Sequence, residues 1–504
     1  MTRYIEACLI YLSFPALFTT CSGPQPSITQ NPNIILIYAD DLGIGDVSCY
    51  GATEIITPNI DRIAREGIRF TNGYASSATC TPSRYALLTG EYPWRNQEAR
   101  VLPGNAPLLI DPSRPTLPAM LRKANYVTGV VGKWHLGLGG ENINWNHEIT
   151  PGPREVGFDY SFIMASTNDR VPTVFLENNK IVGLSPDDPL EVNYQENFPG
   201  EPTGKDNPEM LKMHPSHGHD MSIHNGISRI GFMRGGKSAL WTDEYMADTI
   251  LHHSLEFIRA NRDKPFFLFY ALHQPHVPRT PHPRFIGSSG MGARGDVILE
   301  VDYAVGVLLD LLDSLQLTKN TIVVFSSDNG PVVDDGYHDE AVTRIGNHKP
   351  SDGLRGGKYS LLDAGYHVPF LIRWPGSIRP GTSKALVCQI DLGASFSSLT
   401  GQDNPFPDSE DILNALTGKS KTGRNNLVLE SMRRTCYREG DWVMIPPYEG
   451  PAVYEHVGIE SGNSMEFQLY NLAEDPGQKK NLAVENPGKL EKMKSTYYDL
   501  VEIE

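Results

Sequence analysis

Three things are scarce in this sequence: basic charge, cysteine, and long apolar runs. Lysine and arginine number 44 against 60 aspartates and glutamates, a net charge of −16. That balance argues against a nucleic-acid binder, and an anionic substrate would need a locally positive pocket. Cysteine occurs six times, at positions 8, 21, 49, 80, 388 and 436. The first two fall in the N-terminal stretch, and the remaining four are too few for a disulfide scaffold, although one bridge could form after export. No segment beyond the N-terminus is long and apolar enough for a membrane helix, and no internal repeat is visible. Hydrophobic residues make up 39 % and charged residues 21 % of 504, an ordinary globular balance with room for a large core or several domains.

The N-terminus pairs a positive start (Met1-Thr-Arg) with "ACLIYLSFPALF" and then "TTCSG". This has the length of a signal-peptide core and is too short to span a bilayer. Residues 1–21 are therefore expected to be an export leader. Leu17-Phe-Thr-Thr-Cys21 resembles a lipoprotein cleavage box, which would make Cys21 a lipidated first residue in the periplasm or at the cell surface; the alternative is a cleaved leader without lipid.

Beyond the N-terminal stretch, strands alternate with helices. "NIILIYADDLG" is a β-branched run ending in two aspartates and a glycine, a strand buried on both faces that opens into a loop. "TPNIDRIAREG" predicts a helix capped by Thr57, with Pro58 at its first position and Gly67 as its stop. Further strands are predicted at residues 127–131, 266–271 and 321–326, with another in "VPFLIRWPG". The expected fold is α/β: a large, mostly parallel sheet sandwiched by helices over residues 30–405. A smaller α+β subdomain with short antiparallel strands and a final helix at about 487–501 is expected over 425–504. Residues 168–242, rich in Pro, Gly and His, show no period and read as a functional insert. In such sheets ligands bind beyond the carboxyl ends of the strands, where Asp40-Asp41, His273/His276 and Asp328-Asn329 all fall.

Asp40, Asp41, Asp328 and Asn329 are hard oxygen donors. Adjacent carboxylates at a strand end repel each other unless a cation lies between them, and Ca2+ or Mg2+ would suit this set; turn and capping chemistry is the plainer reading of either pair alone. In "SSATCTPSRYALLTG", Thr81 and Pro82 read as the cap and first residue of a helix whose free amides form an anion site. Cys80 at that mouth is a buried cap residue or an activated thiolate.

Cys-Thr-Pro-Ser-Arg followed by Leu-Leu-Thr-Gly resembles the signature of the formylglycine-dependent sulfatases, matching Cys-X-Pro-X-Arg at Cys80, Pro82 and Arg84. "YADDLGIGDVSCYG", "GKWHLG", "PHVP", "SSDNG", "GGKYSLLDAGYHVPFLIRWPG" and "LYNLAEDPGQKKNLA" resemble the family's successive blocks in order. The resemblance implies the alkaline phosphatase superfamily fold, and a Cys80 oxidised by a formylglycine-generating enzyme to an aldehyde whose hydrate attacks sulfur. It also implies that Asp40, Asp41, Asp328, Asn329 and residue 80 hold one Ca2+ (or Mg2+). Arg84 and Lys133 would stabilise the diol, His135 would take the proton in the elimination step, and His276 and Lys358 would bind sulfate, one of them protonating the leaving alcohol. Taken singly, Lys133, His135, His276 and Lys358 would read as ordinary turn and loop residues.

The function expected is removal of sulfate from a sulfated carbohydrate in an exporting bacterium. A phosphodiesterase or phosphonate monoester hydrolase of the same superfamily and a sulfoglycan-binding protein with unconverted Cys80 are the alternatives. His348 and Arg355, which precede Lys358, are expected to contact sugar, as is part of the 168–242 insert. His214, His217, His219 and His224 are not expected to form a second metal site.

Overall fold

In the computed structural model, residues 31–501 are described; the export leader expected over 1–21 lies outside them. Ten strands build the main sheet: β1 (Asn33–Ala39), β2 (Gly67–Tyr74), β3 (Val127–Lys133), β4 (Tyr160–Met164), β5 (Phe175–Glu177), β6 (Lys180–Ile181), β7 (Phe266–Ala271), β8 (Thr321–Ser327), β9 (Phe370–Arg373) and β10 (Gly381–Cys388). Their order is β10-β2-β9-β8-β1-β7-β3-β4-β5-β6. The five strands β8, β1, β7, β3 and β4 run parallel, so their carboxyl ends share one rim.

The β-branched run at 33–39 becomes the central strand because both its faces are covered. Ile34, Leu36 and Tyr38 enter one core and Ile35, Ile37 and Ala39 the other, the period-2 alternation of a strand between two layers. One layer holds the helices Pro58–Arg65, Met246–Asn261 and Gly292–Ser314; the other holds Cys80–Thr89, Leu117–Lys123 and Leu392–Thr400.

Three local expectations are corrected. The helix at 58 ends at Arg65, and Gly67 opens β2 instead of stopping the helix; a Cβ there would lie 2.0 Å from the Ile372 carbonyl. The helix at the cysteine starts at Cys80, with Thr79 as its cap residue. Thr81 is no cap because its hydroxyl donates to the His135 carbonyl at 2.9 Å. Pro82 still falls in the first turn, where its missing N–H costs nothing. Third, the aperiodic insert is not structureless: it supplies the edge strands β5 and β6 and several two- or three-residue pairings.

A second sheet comprises β11 (Asn426–Ser431), β12 (Arg434–Glu439), β13 (Trp442–Ile445) and β14 (Gln468–Asn471), all antiparallel, followed by the helix Pro487–Val501. It is tied to the main body beside the cysteine. Ala78 N donates to Glu430 O at 2.9 Å and Glu430 N to Ser76 O at 3.0 Å. Cys49, Cys80, Cys388 and Cys436 are all free thiols. No helix among the described residues is long and apolar enough to cross a membrane.

Candidate active site

The ten residues singled out from the sequence converge on the common rim. Asp40 and Asp41 follow β1, Asp328 and Asn329 follow β8, Lys133 ends β3 with His135 just beyond, and His276 follows β7. Cys80 and Arg84 come from the first turns of their helix, and Lys358 arrives on the loop before β9. All are buried, Cys80 to 2 % exposure.

Ion pairs knit them together. Lys133 Nζ lies 2.6 Å from Asp40 Oδ2 and 3.9 Å from Asp328 Oδ2. Arg84 donates Nε and Nη2 to Asp328 Oδ2 at 3.1 and 2.7 Å, and Nη1 to the Lys133 carbonyl at 3.0 Å. Lys358 Nζ bridges Asp41 Oδ2 at 2.9 Å and Asp335 Oδ2 at 2.7 Å. Three buried cations are thus set among four carboxylates, and a divalent cation bound there would tip the balance toward the positive pocket that an anion-handling site needs.

Two oxygens stand out. Asp40 Oδ1 and Asn329 Oδ1 are buried without any hydrogen-bond partner, while Asn329 directs its amide protons to Asp41 Oδ1 at 2.7 Å and to the Gly330 carbonyl. Buried acceptors with no donor are costly. With the Asp41 and Asp328 carboxylates they make an all-oxygen donor set that fits a hard divalent cation. Burial, and then the Asp328 charge, push the Asp40 carboxyl well above the usual range, against the pull of Lys133. Asp328 is held low: burial opposes this, but Arg84 and Lys133 outweigh it. Asp40, Asp41 and His276 can each bring a ligand atom within 4.8 Å of the others.

The two histidines are poised differently. His135 Nε2 lies 3.0 Å from the Leu102 carbonyl, which only accepts, so Nε2 carries the proton and Nδ1 presents its lone pair to Cys80 Sγ at 3.3 Å. Burial, with Lys133 and Arg170 adding to it, pushes its pKa well below the ordinary value. His276 Nδ1 donates to the Val277 carbonyl at 2.6 Å, and its Nε2 lies 3.9 Å from Asp41 Oδ2. Burial and Lys358 hold it low as well. Burial raises the Cys80 thiol, with Lys133 and Lys358 pulling the other way, which speaks against a preformed thiolate. Asp41, His135 and Tyr359 all adopt left-handed backbone, at φ 63, 53 and 72°, strain of a kind that concentrates at functional sites.

Some expectations fail. His348 is 2.7 Å from Asp46, which also takes both terminal nitrogens of Arg294. Arg355 pairs with Glu460 and donates to the Gln478 carbonyl. His348 is buried against Asp46 and turned away from any sugar, whereas the Arg355–Glu460 pair lies at the surface. His273 is buried with Nδ1 unpartnered and its pKa pushed down to about 4 by burial. His214, His217, His219 and His224 form no metal-ligating group among the described residues.

Other residues at the site are not given a role one by one by the sequence, although the 168–242 insert is expected to reach the substrate. Asp335 and Tyr359 frame Lys358, with Tyr359 Oη 3.1 Å from Asp335 Oδ1. Arg170, Asp169 and His219 form a chain from the insert: Arg170 Nη1 to Asp169 Oδ1 at 2.9 Å, and Asp169 Oδ2 to His219 Nε2 at 2.9 Å. The Arg170 charge is felt at both Cys80 and His135. The aperiodic insert thus reaches the pocket through residues immediately beyond β4.

The sulfatase family model matches residues 32–402, and this span includes every residue of the cluster. The chain belongs to the sulfatase family. It is 51 % identical over 464 residues to an N-acetylgalactosamine-6-O-sulfatase from Bacteroides thetaiotaomicron, covering 91 % of each chain. It is 32 % identical over 412 residues to human arylsulfatase A, covering 80 % of this chain and 71 % of that one. A solved structure from work on glycosaminoglycan metabolism by Bacteroides thetaiotaomicron superposes with a TM-score of 0.92 at 49 % identity, covering 94 % of this chain and 99 % of the other. The protein is a sulfatase with the fold expected of that family.

Proposed function

We propose that this sulfatase removes the 6-O-sulfate of N-acetylgalactosamine in fragments of a sulfated glycosaminoglycan. The observation that carries this reading is the buried ring of Cys80, His135, Lys133, Lys358 and the strand-end carboxylates, in a chain half identical to an enzyme of that name. Cys80, if converted to formylglycine and hydrated, would supply an oxygen nucleophile; Asp40, Asp41, Asp328 and Asn329 would hold a Ca2+ ion, whose chemistry there would be to acidify that hydroxyl.

The chain's own residues do the rest. Lys358, whose charge is felt at Cys80, and His276 would grip the oxygens of the sulfate. His135, neutral with its Nδ1 lone pair facing residue 80, takes a proton there. Arg84 and Lys133 balance the negative charge of the strand-end carboxylates. Lys358, or His276 once its Nε2 has taken up a proton in the presence of the bound anion, delivers a proton to the departing alcohol. Asp169, Arg170 and His219 supply donors and acceptors for sugar hydroxyls. Export of the chain before it meets such a polymer is part of the proposal, and it rests on residues 1–21.

The test is direct. Matched sugars carrying 6-sulfate, 4-sulfate or 6-phosphate are offered to the purified protein from its native host, and the peptide containing residue 80 is weighed by mass spectrometry. Preferential release from the 6-sulfate, with a residue 80 that has lost its sulfur, is the expected result. An intact thiol or equal turnover of the phosphate would overturn the reading.

A further inference from the structure

A polar cavity of about 400 Å³ lies beside the active site, between the loop that follows the Cys80 helix and the tip of the C-terminal hairpin. Its lining includes Trp94, Asn96, Gln97, Glu430 and Arg433. Nothing in the sulfate chemistry uses these residues.

The cavity is built rather than incidental. Trp94 is fixed by stacking on Tyr92 at 5.6 Å and by Arg95 over its ring at 4.4 Å, and Arg95 is in turn pinned by Asp408 at 3.0 Å. Its indole N–H is nonetheless buried without a partner, although indole donors normally find one when buried. On the facing side, β11 turns into β12 through Met432 and Arg433, at φ 51 and 65°. Left-handed backbone at two successive non-glycine residues is strained, and Arg433 at this turn is exposed. Among the described residues the guanidinium makes one long hydrogen bond, 3.4 Å to the Gln97 carbonyl. The Gln97 side-chain amide and a guanidinium fork with one long bond, beside an unsatisfied indole donor, are the chemistry that recognises hydroxyls and an anionic group.

The cavity shares two walls with the catalytic centre. Glu430 accepts from Ser77 Oγ at 2.6 Å and its backbone pairs with Ser76 and Ala78. Ala78 is two residues from Cys80, so its Cα lies no more than about 7 Å from that of Cys80. The other wall continues to Leu102, whose carbonyl holds His135. A sugar joined to one seated over residue 80 would find this cavity next door.

We propose that the cavity enclosed by Trp94, Gln97 and Arg433 is a second saccharide subsite, which takes the anionic sugar adjoining the sulfated one. This rests on the carbohydrate reading above. The experiment compares three substrates: the sulfated monosaccharide, the same unit linked to a uronate, and the same unit linked to a neutral hexose. The wild-type protein is expected to favour the uronate disaccharide. In Arg433→Ala the ratio of kcat/KM for that disaccharide to kcat/KM for the monosaccharide should fall about tenfold, the loss of roughly one charge-assisted hydrogen bond; the neutral disaccharide should change little. Trp94→Phe, which keeps a ring and loses the donor, should lower the ratio for both disaccharides. Unchanged ratios in both variants would overturn the subsite. If the wild-type protein turns over none of the three, the substrate reading has failed independently. Calorimetric titration with the unsulfated uronate disaccharide then decides the subsite: binding by the wild-type protein that Arg433→Ala weakens upholds it, and equal or no binding overturns it.

Discussion

Lys133 Nζ sits 2.6 Å from Asp40 Oδ2, yet Asp40 Oδ1, on the same carboxylate, is buried with no partner at all. One oxygen serves charge balance and the other is held in reserve, as is Asn329 Oδ1. A divalent cation is the species that would use both. Chelation is therefore expected to lower thermal stability and abolish sulfate release, with Ca2+ restoring both, since a ligand that binds only the folded state stabilises it. Scanning fluorimetry with and without chelator is the check, and an unchanged melting curve would count against the site.

Arg84 and Asp328 form a fully buried ion pair in which Nε and Nη2 both donate to Oδ2. Truncation by Arg84→Ala strands the carboxylate in a low-dielectric interior, at a cost of about 3–5 kcal/mol. Denaturant titration should show that loss separately from the loss of turnover.

Cys80 contributes little to packing beyond its small side chain, and its helix is held by Leu87 and Leu88 in the core. Cys80→Ala is expected to keep circular dichroism and melting temperature near wild type while turnover falls below detection. Residual sulfate release from that variant would refute nucleophilic use of residue 80.

Glu430 is pushed by burial from 4.5 up to about 7, against hydrogen bonds from Ser77 and the Arg433 backbone that favour the charged form. A carboxyl with a raised folded-state pKa holds a proton that the unfolded chain releases. Its contribution to stability is fully present below pH ~4.5 and is lost as pH rises through ~7. The difference is on the order of 3 kcal/mol above pH ~7. Glu430→Gln should therefore be more stable than wild type at pH ~8, with the gap closing toward pH ~5. Urea midpoints across that range decide it, and a constant gap would contradict the assignment.

Much of this site could be read from the sequence, because strand-end loops advertise themselves. A β-branched run that stops at Asp-Asp-Leu-Gly or Ser-Ser-Asp-Asn-Gly declares both its direction and the side chains it delivers. The Cys-X-Pro-X-Arg stretch is compact enough to carry its own geometry, although the helix starts two residues earlier than capping preferences suggest, since Thr81 is diverted to His135. Asp335 and Asp169 were not legible. They sit in aperiodic loops and gain their roles from partners more than twenty residues away, Lys358 and His219. His348 misled for the converse reason: its place in the chain points toward Lys358, and its ring points to Asp46.

The pairing of Ser77 with Glu430 spans 353 positions of chain. During synthesis the turn ahead of the thiol emerges long before the strand that backs it, so for most of translation that turn lacks its late-arriving clasp. Any catalyst that must reach the sulfur works against a clock set by the ribosome, and the closing of the last hairpin sounds the deadline.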